Sequence, residues 1–249
     1  MRETLVYLHI HKAGGSSFNN ALWAQFPREA VFRIDGTQPV VSYLDLVARL
    51  SDKTFRDGLG LITGHQLFGV HTHMPGRRCR YITLMREPVA RTISLFNYLF
   101  HSKAHPLAGR YRREDFLEFL QDSRMMALDN GMTRMLSGVR FNDRHFNGIP
   151  FGKLRPYMLE AAKENVAEHI AVGFTEALQP SLDRFARELS WRTTPQLPHL
   201  NRSQSVLRPG DLTAEERALI EERNRFDIEL HDFARAQHWH KVAADGPSP

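Results

Sequence analysis

Several features that mark common classes of protein are missing from this chain. Its one cysteine, Cys79, allows no internal disulfide, as is typical of a reducing compartment. No apolar run approaches the roughly twenty residues that span a bilayer, and the first run, of about six, is too short for a secretory signal. Zinc-finger spacing, arginine-rich tracts and RNA-binding aromatic motifs are absent too, so the formal charge of +5 does not indicate nucleic-acid binding.

What remains is the composition of an ordinary globular protein. The 249 residues are enough for one α/β domain with a full core. No internal repeat or linker divides the chain, so we predict a single domain over residues 1–242 and a disordered tail at 243–249. We expect a soluble, cytoplasmic protein without a transmembrane segment. Its mild basic excess suits an anionic ligand.

Short apolar runs alternate with helical patterns along most of the sequence. This alternation predicts an α/β fold with a central parallel β-sheet flanked by helices. Ligands of such sheets bind beyond the carboxyl ends of the strands. Lys12, His65 and Arg86 each follow a predicted strand, so three separate segments should meet at one edge. The strands are expected near residues 5–10, 30–34, 61–63, 80–85 and 169–173, and helices are expected over 17–26, 123–136 and 213–238, among others.

A glycine-rich turn after the first predicted strand is the first candidate site. Gly14 and Gly15 permit backbone angles closed to other residues and allow close approach of a ligand. Ser16 or Ser17 is a natural N-cap for the following helix. The helix N-terminus favours phosphate or sulfate, and Lys12 adds a mobile positive charge. The alternative is a turn that uses glycine for tightness alone.

A second candidate site lies at Arg86. This residue follows a predicted strand and precedes a helix N-terminus, where a guanidinium suits a phosphate. Ser94 lies about two helical turns further on and faces roughly the same side. The alternative is that Arg86 pairs with Glu87 and that Ser94 packs against a neighbouring helix.

Both segments carry the resemblance to a known family. Residues 9–18 read His-Ile-His-Lys-Ala-Gly-Gly-Ser-Ser-Phe, and residues 86–94 read Arg-Glu-Pro-Val-Ala-Arg-Thr-Ile-Ser. They resemble the 5′-phosphosulfate loop and the 3′-phosphate motif of sulfotransferases that use 3′-phosphoadenosine 5′-phosphosulfate (PAPS), in the heparan sulfate 2-O/6-O-type branch. The loop departs from that pattern at His11, where proline or glutamine is usual, and at Ala13, where threonine is usual.

The resemblance implies a P-loop-NTPase-like sulfotransferase fold in a soluble, bacterial-type member of the family. Residues 129–136 and 172–176 are similar to further family segments, and Arg91 is expected to be structural or peripheral. A late loop is expected to close over the nucleotide. The donor-binding residues implied are Lys12, Ala13, Gly14, Gly15, Ser16, Ser17, Arg86, Ser94, Asn201, Arg202 and Ser203.

The implied reaction moves the sulfuryl group of PAPS to an acceptor hydroxyl. A glycan or glycolipid is the first expectation for the acceptor, and a lipid or small-molecule alcohol is the alternative. Arg77, Arg78, Arg110, Arg112 and Arg113 either meet an acidic glycan or form a solvated surface. Lys12 would stabilise the leaving group, and no metal is required.

The base is expected to be a histidine, because imidazole titrates near neutrality. His65 directly follows a predicted strand, and a Gly-His pair supplies the base in 2-O-type relatives. His71, His73 and His11 are second choices.

Three other classes share parts of these patterns. A nucleotide kinase or other NTPase also binds phosphate at a loop between a strand and a helix. Its Walker motif places the glycines before the lysine, and that order is missing here. A non-catalytic protein that binds PAP, the desulfated product of PAPS, would keep the anion-binding turn and lose the base. A zinc site made from Cys79 and nearby histidines fits no standard spacing.

Overall fold

Five parallel strands form one sheet in this computed structural model, which describes residues 3–36, 38–102, 107–138, 148–191 and 206–243. The strands are β1 (Glu3–Leu8), β2 (Val31–Arg33), β3 (Leu61–Gly64), β4 (Arg78–Met85) and β5 (Ile170–Phe174). Their order across the sheet is β2-β3-β1-β4-β5. Since β1 pairs with β3 on one side and with β4 on the other, the loops after these three strands are neighbours.

Ten α-helices accompany the strands in the described ranges. None of them is long and apolar enough to cross a membrane. They are α1 (Gly15–Trp23), α2 (Pro39–Arg49), α3 (Lys53–Gly58), α4 (Pro88–His101), α5 (Phe116–Gln121), α6 (Gly131–Leu136), α7 (Pro156–Glu168), α8 (Leu178–Glu188), α9 (Ala214–Arg223) and α10 (Arg225–Ala243).

The central strands are buried on both faces, which is why helices must flank the sheet. Val6 and Leu8 of β1 point to one face and Tyr7 to the other, and all three are fully buried. A strand of this kind reads as a continuous apolar run instead of an alternating one. The single-domain α/β fold with a parallel sheet that the sequence predicts is therefore confirmed.

Two helix predictions are wrong in their extent. The helix expected over 213–238 is two helices, α9 and α10, which break at Asn224. The Asn224 amide is buried and donates to the carbonyl of Ile220 while accepting from Arg91, so tertiary contacts determine the break. The helix expected over 123–136 is reduced to a 3-10 turn at Met126–Leu128 followed by α6.

A buried carboxylate joins three of the helices. Asp227 in α10 accepts from Arg91 in α4 at 3.1 Å and from the Met132 and Thr133 amides of α6 at 2.9 and 2.7 Å. The Thr133 hydroxyl donates to the same carboxylate at 2.8 Å. Because Arg91 and Asp227 are almost fully buried, this arginine is structural, as expected.

Replacing Asp227 with asparagine should destabilise the fold strongly. Asp227→Asn keeps the volume but leaves the buried Arg91 charge without its counter-ion, so we expect a loss of roughly 3–5 kcal/mol in the free energy of unfolding, measured by urea denaturation. Asp45→Asn is the control, because Asp45 pairs with Arg49 at the surface and such pairs contribute about 1 kcal/mol or less. Equal losses in the two variants would contradict this account.

Candidate functional site

The loops after β3, β1 and β4 touch one another at the carboxyl edge of the sheet. His65 follows β3, and its Nδ1 lies 2.6 Å from the main-chain oxygen of His9. Arg86 follows β4, and its Nη1 donates to the main-chain oxygen of Lys12 at 3.2 Å. The expected meeting of Lys12, His65 and Arg86 at one edge is therefore what the structure shows.

The turn before α1 differs from the expected one at its N-cap. Gly14 occupies that position in the left-handed region, with φ 78°, so Ser16 and Ser17 lie in the first turn and neither is the N-cap. Glycine adopts this conformation without the steric penalty of a Cβ atom. Because Gly14 has no side chain to accept from the first-turn amides, and no acidic residue lies in that turn, the N-terminus of α1 is open to an anion.

The His9 side chain explains the need for glycine at position 15. A Cβ atom built on Gly15 would lie 1.8 Å from Nε2 of His9, so the imidazole occupies the space that a side chain would need. This packing requires glycine at position 15, and the expected contact of Gly15 with a ligand stays a prediction. His9 also lies just beyond β1 and not inside it as expected.

Lys12 lies at the mouth of the turn with its charge uncompensated by a carboxylate. Its Nζ is 4.2 Å from the centre of the Tyr98 ring, a cation–π contact, and within the described residues it forms no ion pair. Burial, and secondarily the neighbouring Arg86, lower the pKa of Lys12 to about 8. An anion bound here would offset both effects, because an opposite charge stabilises the ammonium form.

The helix that follows Arg86, α4, is capped differently from α1. The Glu87 carboxylate accepts from two amides in the first turn of α4, at 2.8 and 2.7 Å, and the Glu87 amide donates to Glu176 at 2.7 Å. These amides are therefore occupied, contrary to the expectation that the helix N-terminus here helps to bind phosphate. Anion binding at this segment would depend on the Arg86 guanidinium and the Ser94 hydroxyl, which makes no hydrogen bond within the described chain.

The His65 ring stacks with two other imidazoles. The centroids of the His9 and His65 rings are 4.4 Å apart. The centroid of the His11 ring lies 3.8 Å from that of His65, with an angle of 6° between the two ring planes. Since a carbonyl can only accept, Nδ1 of His65 carries the proton and Nε2 carries the lone pair. Burial lowers the pKa of His65, partly offset by this hydrogen bond, so the ring is a neutral base at pH 7.

Of the second-choice histidines, only His11 joins this cluster. Nδ1 of His71 lies 2.8 Å from the hydroxyl of Tyr81, which pairs with Val6 in the middle of β1. His73 contacts the ring of Tyr43. His71 and His73 are therefore engaged away from Lys12.

Two of the arginines considered for an acidic acceptor lie at the opposite edge of the sheet. Arg77 donates to the hydroxyl of Thr4 at 2.5 Å and to the carbonyl of Asp57 at 3.0 Å, and Arg78 pairs with Glu3. These contacts are at the amino ends of β1 and β4. Arg113 forms an ion pair with Glu216. Asn201, Arg202 and Ser203 lie outside the described residues. Of the tail predicted at 243–249, Ala243 is the last residue of α10, and residues 244–249 lie outside the described part of the chain.

Sequence reasoning missed two residues of this site. Tyr98 lies one turn after Ser94 on the same helix face, so helical spacing alone was a usable signal. His9 lies two residues after Tyr7 and therefore on the same side of the extended chain, which predicts their stacking but not the contact with His65.

In the described residues no group of three or more histidine, cysteine, aspartate or glutamate side chains is arranged to hold a metal ion.

Comparison with known proteins gives distant relatives of one kind. No family model matches the chain. Heparan-sulfate 6-O-sulfotransferase 1 of Homo sapiens is 26% identical to this chain over 64% of the chain and 43% of its own length. Heparan-sulfate 6-O-sulfotransferase 1-A of Danio rerio has the same identity and the same coverage of both chains. The Gallus gallus enzyme is 24% identical over 94% of this chain and 65% of its own. All of these relatives are sulfotransferases. The chain thus spans less than half of the first two.

A methyl group at position 15 should disturb the site while a methyl at an open glycine should not. Gly15→Ala forces the His9 ring to move, and we expect a loss of about 1–3 kcal/mol in the free energy of unfolding and shifted imidazole NMR signals. Gly58→Ala is the control, because a Cβ at Gly58 meets nothing within 4 Å. Unchanged imidazole signals in Gly15→Ala would refute the proposed packing.

Proposed function

We propose that this protein is a sulfotransferase that moves the sulfuryl group of PAPS to a hydroxyl of a carbohydrate acceptor. Its two donor motifs resemble those of PAPS-dependent enzymes, and its relatives are named for sulfation of heparan sulfate.

One observation carries the proposal: Lys12 and Arg86 meet at the rim beside an open helix N-terminus. Within the described residues neither forms an ion pair, although the charges of Glu176 and Glu87 act on Arg86. Arg86 bonds to the carbonyl of Lys12, which holds both positive groups near the start of α1. Two like charges in a partly buried place repel each other, and the open amides of α1 add a further positive potential. A ligand with two anionic ends, such as PAPS, matches this arrangement.

The same residues provide the chemistry of the transfer. The acceptor hydroxyl gives its proton to Nε2 of His65 as its oxygen attacks sulfur. The bond between sulfur and the bridging oxygen breaks, and PAP leaves with the electron pair. Lys12 stabilises the negative charge that develops on that oxygen, and positioning with electrostatics lowers the barrier. The acceptor is proposed to approach beside Gly36, where a Cβ atom would lie only 3.8 Å from Nε2 of His65.

The direct test is transfer of labelled sulfate from PAPS to a panel of acceptors. The panel contains desulfated heparan sulfate, other glycans, glycolipids and simple alcohols. We expect transfer to a glycan, and thermal stabilisation by PAP but not by ATP with magnesium. Transfer only to lipids or small alcohols would refute the acceptor class. Binding of PAP without any transfer would indicate a binding protein, and stabilisation by ATP with magnesium alone would indicate an NTPase.

Removing either catalytic group should nearly abolish turnover. Lys12→Ala removes the charge at the leaving oxygen and His65→Ala removes the base, so we expect each to lower kcat by roughly 10²-fold or more at saturating PAPS. Lys53→Ala is a matched control, since Lys53 pairs with Asp57 at the surface. Near wild-type transfer by His65→Ala would show that another group is the base.

The pH dependence should follow the two shifted groups. Because the pKa of His65 is lowered from 6.5, its base form persists below that pH, and the acid limb of kcat/KM should lie below 6.5. The pKa of Lys12 is lowered to about 8, so its ammonium is lost above that pH and the alkaline limb should lie near 8. Lys12→Arg should move that limb to much higher pH in the same titration. An alkaline limb that stays in place would exclude Lys12 as its origin.

A further inference from the structure

We infer that His9 is a positioning residue that sets the orientation and tautomer of His65, and that Asn19 and Thr63 lock His9 in turn. The inference rests on the proposed function, because it assigns His9 a role in presenting the base. None of the motifs recognised in the sequence assigns a role to His9, Asn19 or Thr63. All three are buried or half-buried between β1, β3 and α1.

The first step is a chain of hydrogen bonds that ends at His9. The Thr63 hydroxyl lies 2.6 Å from Oδ1 of Asn19, and Nδ2 of Asn19 lies 3.2 Å from Nδ1 of His9. The short distance suits an O–H···O bond and the longer one suits a nitrogen donor. Thr63 therefore donates to Asn19, and Asn19 donates to His9, so the proton of His9 resides on Nε2.

The second step is the double contact of His9 with His65. The main-chain oxygen of His9 accepts from Nδ1 of His65, which leaves the lone pair of His65 on Nε2. The His9 ring stacks against the His65 ring with centroids 4.4 Å apart. One residue thus fixes both the tautomer and the ring plane of the proposed base.

The third step is that His9 cannot turn away from this position. Its ring stacks on Tyr7 at 5.6 Å and fills the space beside Gly15, while Nδ1 is held by Asn19. A protonated imidazole would lose the bond from Asn19, because Nδ1 would then be a donor facing another donor. His9 is consequently held neutral, and its Nε2–H lies at the first residue of α1.

The hydroxyl of Thr63 allows a test that leaves His9 and His65 in place. Thr63→Val has nearly the same shape but cannot donate to Asn19, whereas Thr63→Ser keeps the donor. We expect Thr63→Val to lower kcat roughly tenfold while leaving the Kd for PAP unchanged. Thr63→Ser should keep kcat close to the wild-type value. His9→Phe, which keeps a ring but no nitrogen, should resemble Thr63→Val.

The pH profile gives a readout that loss of packing alone would not move in the same way. The titratable groups around the His65 ring are His9 and His11, with Lys12 and Arg91 acting on these. A loosened His9 ring admits water to His65, so in Thr63→Val the acid limb of kcat/KM should move to higher pH, toward 6.5. An unchanged limb with wild-type kcat would overturn the inference.

Imidazole nitrogen NMR on the wild-type protein separates this inference from the proposed function. We expect the proton on Nε2 of His9 and on Nδ1 of His65, and loss of the fixed His9 tautomer in Thr63→Val. A proton on Nδ1 of wild-type His9 would refute the inference whether or not sulfate is transferred. Absence of transfer with the expected tautomers would refute the proposed function alone.

Discussion

The loop after β1 is tied to the loops on both of its sides through its own main-chain oxygens. The oxygen of His9 accepts from His65 of the β3 loop, and the oxygen of Lys12 accepts from Arg86 of the β4 loop. These bonds are possible only because β1 lies between β3 and β4 in the sheet. The strand order therefore determines which side chains meet, and the two bonds determine how they are presented.

The sequence predicted the meeting of Lys12, His65 and Arg86 because strand ends are a feature of local pattern. Parallel strands end at one edge, so placing each residue after a strand is enough. The N-cap of α1 was predicted wrongly for a related reason. Serine is a frequent N-cap, but Gly14 in its left-handed conformation is the N-cap here, and the helix begins at Gly15, two residues earlier than expected. Local preference and local geometry compete there, and only the folded turn decides between them.

Contacts made by side chains across the fold were beyond the reach of sequence patterns. The sequence position of Asn224 does not show that its side-chain amide accepts a hydrogen bond from Arg91. The break between α9 and α10 follows from that contact. The same holds for the His9 ring, whose partners come from α1 and β3. A periodic pattern identifies which face of an element is buried, but not which polar groups on two elements will meet.

At position 11 this loop departs from the family pattern that it resembles, and this departure leaves the charge of the loop unchanged. Histidine in place of proline or glutamine would add a positive charge only if the imidazole were protonated. His11 is half-buried and stacks on His65, and loss of solvent, followed by the neighbouring histidines, Arg91 and Lys12, lowers its pKa well below the usual value. The ring therefore presents a neutral, flat surface to His65, the proposed base. The positive charge of this site comes from Lys12, Arg86 and the open end of α1, and groups of these kinds can bind an anionic ligand.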